Sequence, residues 1–355
     1  IFEADGPIDS KCYIYDGDKI WQQPLSLEKM ATDLIKDFQR FIGLIYDNNE
    51  NNKKPFFFYF SLPHIHSALW ASEPFAGKSK RGLLGDNIAE MQWTVGELIK
   101  ILKDRQLEKN TLVLFLSDHG PHKEICMYGG STGGFKGGKS NSFEGGFRIP
   151  AIAWWPRTIK PGQVTNDVIS ALDIVPSLAD LTGAKLPEER IYDGENVLQL
   201  LLGLADKGIW KYMQDTTEKR PIIFYCNKHL MAVRYREYKI HFYTSPIFEE
   251  NDFGVKCPHG MALKDWYVSQ TCDSSRLVKH EPPLVFNLHT DPFEQYPLDP
   301  EANQADNTIG TILEKVETIR NSHVDSLTPV PQQMGNFAPH VIPCCNFPKC
   351  RCNYP

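Results

Sequence analysis

An unbroken apolar run, Leu112, Val113, Leu114, Phe115 and Leu116, stops at Asp118-His119-Gly120 and gives way to glycine-rich polar sequence as far as Pro150. A run this short, with no polar alternation, predicts a strand covered on both faces in a parallel sheet. In open α/β sheets ligands bind in the crevice outside the carboxyl ends of the strands, so Asp118 and His119 are candidate metal-ligating or catalytic groups. An aspartate close to a glycine also suits an ordinary turn. A second run, Phe56-Phe57-Phe58-Tyr59-Phe60, ends in Pro63-His64-Ile65-His66. Two such strands in one parallel sheet share a carboxyl edge, where both polar sets converge. Histidines incidental to a solvated loop are the plainer reading of the second run.

Around these runs the apolar spacing is helical. Ser26 precedes a helix carrying Met30, Leu34, Phe38, Phe41, Ile42 and Ile45, and Asp86 caps one carrying Ile88, Met91, Val95, Leu98, Ile99 and Leu102 on one face. Strand, helix, strand predicts a right-handed crossover. Ile149 to Trp155 reads as a further strand, and Asp173-Ile174-Val175-Pro176 as a helix start with a capping carboxylate, a structural role for Asp173. From Asp206 to Arg220 the pattern turns strand-rich. Phe224-Tyr225, Met231 to Tyr243 and Leu284 to Asn287 predict a smaller antiparallel sheet, followed by a helix from about Ile309 to Ile319. The expected organisation is an α/β core over 1–210, a small antiparallel α+β subdomain over 211–340 and a cysteine-rich tail over 341–355.

A net charge of -6 leaves no general basic surface for a phosphate backbone, which argues against nucleic acid as a partner. No apolar run approaches the ~18 residues of a membrane-spanning helix. Ile1-Phe2-Glu3-Ala4-Asp5 resembles neither a signal peptide nor an initiator sequence, so the expectation is a chain that starts within a longer protein or has been trimmed. Nine cysteines point to an oxidising compartment. Cys344, Cys345, Cys350 and Cys352 are expected as disulfides, because an adjacent pair departs from the usual zinc-ligand spacings. Cys226 is expected to pair with Cys257 or Cys272. An odd total leaves one thiol over, with Cys12 the candidate, and no Asn-x-Ser/Thr acceptor occurs.

In the glycine-rich segment, Gly129-Gly130, Gly133-Gly134, Gly137-Gly138 and Gly145-Gly146 interleave with Lys136, Lys139, Glu144 and Arg148. Neither a Walker spacing nor a GxGxxG entering a helix is present, so this is not a nucleotide loop. Glycines let backbone approach a small ligand closely, and a lysine delivered from such a loop is a point charge for an oxyanion. Gly137-Gly138-Lys139-x4-Glu144-Gly145-Gly146-x-Arg148-x-Pro150 after Ser117-Asp118-His119-Gly120 resembles the sulfatases. His66-Ser67-Ala68-Leu69, Gly85-Asp86 with Met91, Tyr225-Cys226-Asn227 and the closing Cys344-Cys345/Cys350-x-Cys352 follow the order of the steroid-sulfatase and arylsulfatase branch. The resemblance covers nearly the whole chain. It implies an alkaline-phosphatase-like α/β sheet flanked by helices and hydrolysis of aryl or steroid sulfate esters by a formylglycine made from cysteine. It also implies a divalent cation, usually Ca2+, with Mg2+ or Zn2+ as alternatives. Carried over residue by residue, Asp118 and His119 are metal ligands, while His66 and Lys139 bind the sulfate and the leaving-group oxygen. At the second ligand position this branch more often carries Gln or Asn.

No Cys-x-Pro-Ser-Arg occurs, and the family's amino-terminal aspartate pair is absent too. The resemblance therefore implies a carboxyl-terminal portion that works with an upstream segment of the same protein, is inactive alone, and reaches a membrane only through an upstream apolar hairpin. The secretory pathway (endoplasmic reticulum, lysosome or extracellular space) is the implied location. Chemically, sulfate-ester hydrolysis needs charge on the non-bridging oxygens, which Lys139 and a cation supply. It also needs a proton for the leaving group, and a histidine such as His66 is suited to general-acid work of that kind. Two other functions fit the same residues: a phosphoesterase of the same superfamily, and a secreted binding protein that keeps the fold without its nucleophile.

Overall fold

The computed structural model describes residues 14–17, 19–23, 25–46, 54–204, 220–248, 253–262, 274–299 and 308–329. The chain divides into two compact units, one running to Arg105 and taking up Thr328 onward, the other Gln106–Leu327. The boundary expected at residue 210 falls inside the second unit, among residues outside the described ones.

In the first unit, β1 (Ile14–Asp16) and β2 (Lys19–Gln22) form an antiparallel pair ahead of α1 (Leu27–Tyr46). The helix buries Ala31, Ile35, Phe38 and Ile42, at the three- and four-residue spacing that one helical face requires. Phe58 packs against this helix, with ring centroids 5.0 Å from Phe38 and 4.9 Å from Phe41, and Phe56 lies 6.0 Å from Phe41. The run Phe56 to Phe60 keeps the alternation of a strand, with Phe57 71% and Tyr59 81% exposed, but it joins no ladder among the described residues.

The second helix, α2 (Leu83–Asp104), departs from its expected face. Ile88 is exposed, whereas Asp86, Asn87, Glu90 and Thr94 are buried. The reason is a loop whose backbone needs partners. The Asp86 carboxylate accepts from the amides of Gly77 (2.8 Å), Lys78 (3.1 Å) and Ser79 (2.7 Å). Glu90 accepts from the Ser72 amide and hydroxyl, both at 2.9 Å, and the Asn87 side chain donates to the Trp70 carbonyl at 2.7 Å. Asp86 is therefore a loop clamp and not a helix cap. The Ser79 amide chiefly, with those of Gly77 and Lys78, holds its carboxyl below the ordinary range.

In the second unit, β3 (Val113–Leu116) pairs with β4 (Ala151–Trp154) in the register Val113↔Trp154 to Leu116↔Ala151. The pairing is antiparallel, which corrects the parallel neighbour expected for this strand. A parallel return needs a crossover, usually a long helix. The connection here instead folds into the glycine-rich segment, with a short 3-10 helix (Lys123–Tyr128) and the one-turn α3 (Glu144–Phe147), and re-enters at the same end. After α4 (Ile174–Thr182) and α5 (Leu198–Leu201) comes the expected smaller sheet, antiparallel in the order β5-β6-β7-β8: β5 (Ile222–Cys226), β6 (His229–Tyr235), β7 (Tyr238–Thr244) and β8 (Val278–Asn287). Ile312 and Val316 of the Thr308–Ser326 helix join Val233, Tyr235, Ile240, Phe242 and Val285 in one core on the first face of this sheet. On the opposite face Phe286 packs with Phe143 of the glycine-rich segment.

Asp173 is fully buried and structural, as expected, though not as the cap of α4. Its carboxylate accepts from the amides of Ser170 (2.7 Å) and Glu195 (2.9 Å) and pairs with Arg220, Oδ2 to Nη2 at 2.8 Å. Cys126 is disulfide-bonded to Cys257 across 131 residues. This corrects one of the two partners expected for Cys226, which is itself disulfide-bonded. Cys12, Cys272 and the four tail cysteines lie outside the described residues.

Candidate functional site

Beyond the end of β3 the chain turns sharply. The Asp118 carboxylate accepts from the His119 amide at 2.9 Å, and the Ser117 hydroxyl donates to the His119 carbonyl at 3.0 Å. The Asp118 side chain is 80% exposed, and the His119 ring 39%. His119 Nδ1 lies 2.8 Å from the Gly120 carbonyl, which can only accept, so Nδ1 carries a proton and Nε2 is the outward end. Nε2 sits 3.2 Å from Asp118 Oδ2. In the neutral imidazole these are two lone pairs facing each other, an arrangement that a cation or a second proton relieves. A carbonyl fixing the tautomer is also the usual support of a metal-ligating histidine. The pair therefore fits two donors of a cation site. Among the described residues no group of three or more His, Cys, Asp and Glu side chains completes it.

The glycine-rich segment locks onto this turn through its backbone. The Gly120 amide donates to the Gly146 carbonyl and the Lys139 amide to the Pro121 carbonyl, both at 2.8 Å. Side chains cannot be accommodated here: a Cβ on Gly120 would lie 1.9 Å from the Gly145 carbonyl oxygen, and one on Gly146 would lie 2.1 Å from that of Asn141. Glycine is required at both positions by close approach, not by flexibility. Lys139 is thereby tied to the residue two beyond His119. Its side chain is partly buried and makes no hydrogen bond or ion pair among the described residues. That ammonium is free to meet an anion.

His66 lies in the first unit and is exposed. Its amide donates to the Pro63 carbonyl at 3.2 Å and its Nδ1 contacts the Ser67 carbonyl, which leaves Nε2 outward. His64 is the contrasting histidine. Its side chain is fully buried against Trp70 at 4.8 Å, 3.9 Å from Glu90, with neither ring nitrogen hydrogen-bonded among the described residues. Burial lowers its pKa, so the ring stays neutral.

A group of buried ions behind the glycine-rich segment went unread in the sequence. Lys239 and His241 alternate on β7 and so share a face. Lys239 Nζ donates to Glu144 Oε1 at 3.0 Å and lies 3.5 Å from Glu294 Oε1. His241 Nε2 meets the same Glu294 oxygen at 2.7 Å, and Arg234 reaches Glu144 at 3.6 Å. A lysine and a histidine alternating in a strand look like a solvent face, and only the carboxylates from distant segments make this a core.

His241 is pushed down to about 4, first by burial and then by the neighbouring Lys239 and His280 charges, against the pull of Glu294. Phe143 and Phe286 cover its ring, and Ser142 faces Nδ1. Because the folded value lies below the ordinary 6.5, the unfolded chain takes up the proton first. Stability present above pH 6.5 is therefore lost as pH falls towards 4. The expected loss is on the order of 3 kcal/mol in urea unfolding across that window. His241→Gln removes this part of the slope; identical slopes for the two proteins would exclude His241 as its source.

Comparison with known proteins agrees with the segment order. The family profile described as "Sulfatase" matches residues 8–184, and "C-terminal region of aryl-sulfatase" matches 217–352. The chain is 37% identical over 352 residues to an arylsulfatase of Hemicentrotus pulcherrimus, covering 99% of this chain and 60% of that protein. It is 33% identical over 359 residues to the steryl-sulfatase of Homo sapiens, covering 96% and 57%. The PsFucS1 sulfatase from Pseudoalteromonas sp. superposes with a TM-score of 0.65 at 23% identity, over 86% of this chain and 56% of that one, a likeness of fold. The chain thus spans somewhat over half the length of the relatives it matches.

Proposed function

The chain belongs to the sulfatase family, and from that premise we propose that it binds the sulfate group of an aryl or steroid sulfate ester and takes part in its hydrolysis. The observation that carries this reading is the lock between Lys139 and Pro121, which ties the Lys139 backbone to the residue two beyond His119 while its ammonium has no partner among the described residues. Lys139 neutralises the non-bridging sulfate oxygens. His66, with its outward Nε2, protonates the leaving oxygen. Asp118 and His119 would hold a divalent cation, calcium or magnesium, which would supply Lewis-acid polarisation of the sulfate oxygens. The nucleophile in this reading is a formylglycine, and no Cys-x-Pro-Ser-Arg that would yield it occurs in the 355 residues.

The disulfide-bonded Cys126, Cys226 and Cys257 favour a secretory compartment. No described helix is long and apolar enough to cross a membrane. The test compares a chromogenic aryl sulfate with the matching aryl phosphate, in protein that carries the formylglycine, alongside elemental analysis. Sulfate turnover with calcium or magnesium bound is expected, and Asp118→Ala lowers calcium affinity in titration calorimetry. Stoichiometric zinc, with phosphate preferred and activity lost to a zinc-selective chelator, would move the reading to a phosphoesterase.

A further inference from the structure

Glu294 is fully buried and touches the glycine-rich segment at both ends. Its backbone carbonyl accepts from Lys136 Nζ at 3.1 Å, and its Oε2 accepts from the Glu144 amide at 2.5 Å. Its other carboxylate oxygen is held by His241 and Lys239 from β7. Within the segment, the Gly145 amide closes back on the Lys136 carbonyl at 2.8 Å. Residues 136 and 144 are thus pinned by one side chain and its own backbone, and the stretch between them carries Lys139. Stability is a poor explanation for such an arrangement, since well-packed apolar residues of similar volume commonly match or exceed a buried ion pair. Hydrogen-bonded ions fix direction, which apolar packing does less well.

We propose that Glu294 is a positioning residue for Lys139, clamping both ends of the 136–144 stretch to the four-stranded sheet so that the Lys139 backbone stays tied to Pro121, two residues beyond His119. This rests on the reading of Lys139 as the sulfate-binding group, and the test separates the two. The probe is inorganic sulfate, read as protection of Lys139 from an amine-reactive reagent by mass spectrometry; the second readout is amide hydrogen exchange at Lys139. The double variant Glu294→Met/Lys239→Met removes one buried charge of each sign and leaves Glu144 facing Arg234; it also strips the partners of His241 Nε2 and the Glu144 amide, so its melting curve is measured first to show that it folds. In it, Lys139 amide exchange is expected to quicken, and the sulfate concentration for half-protection to rise, by about tenfold or more. Glu294→Gln, which keeps an oxygen for the Glu144 amide, should retain most of the protection.

A folded double variant with unchanged exchange at Lys139 overturns the proposal. Should that variant not fold, Glu294→Asp, one methylene shorter, is expected to show the same tenfold change in exchange and protection, and unchanged behaviour there overturns it equally. If sulfate fails to protect Lys139 even in the unmodified protein, the sulfate-ester reading falls, while amide exchange still decides the clamp.

Discussion

On the proposed function, Lys139→Ala is expected to lower turnover of an aryl sulfate by about a hundredfold or more, in protein carrying the formylglycine, and His66→Ala to do the same, the usual scale for deleting one positioned catalytic group. Neither change should unfold the protein. Lys139 has no side-chain partner among the described residues to orphan, and His66 is exposed. The expected signature is therefore a normal melting curve with a collapsed kcat. His64→Ala is the useful contrast, because that ring is buried against Trp70 and its loss should appear first in the melting temperature. Full activity in well-folded Lys139→Ala protein would end the assignment of that lysine.

Arg220→Met is expected to destabilise the second unit by about 3–5 kcal/mol, the range for stripping the partner from a buried charge. The Asp173 side chain is wholly buried and Arg220 is 16% exposed, so little water can replace the guanidinium. Nor can the carboxylate swing away, since the Ser170 and Glu195 amides hold it in place. Replacing both residues, Asp173→Asn with Arg220→Met, should recover part of the loss. Urea unfolding followed by tryptophan fluorescence measures both. A single variant within about 0.5 kcal/mol of the parent, the ordinary range for an uncritical surface change, would show that water compensates Asp173 after all.

What could be read from the sequence depended on how local each feature is. Helix α1, strand β4 and the smaller antiparallel sheet follow from local spacing and formed as expected, although the run Met231 to Tyr243 divides into β6 and β7 at Arg236-Glu237. The direction of β3 did not follow, because an apolar run looks the same whichever way its neighbour points. The buried face of α2 was missed for a related reason. Asp86, Asn87 and Glu90 count as solvent-seeking until the loop amides and carbonyl they satisfy are known. The site divides in the same way. Lys139 and Asp118-His119 were legible as a motif, and their attachment through Pro121 and Gly146 is a backbone fact that no residue type announces. Glu294 lies 150 residues from the Glu144 amide it accepts, beyond any spacing rule.

The Cys126–Cys257 bridge bears on how this protein survives proteolysis. Cleavage at any one peptide bond between those cysteines yields two polypeptides that remain a single covalent molecule, because the bridge encloses the break. Lys139, Glu144, Lys239 and His241 all fall inside that closed loop, while Glu294 follows it. A nicked protein would therefore keep the parent's mass except for one added water. It would resolve into two bands only on a denaturing gel run with reductant, so an intact band without reductant is no proof of an uncut chain.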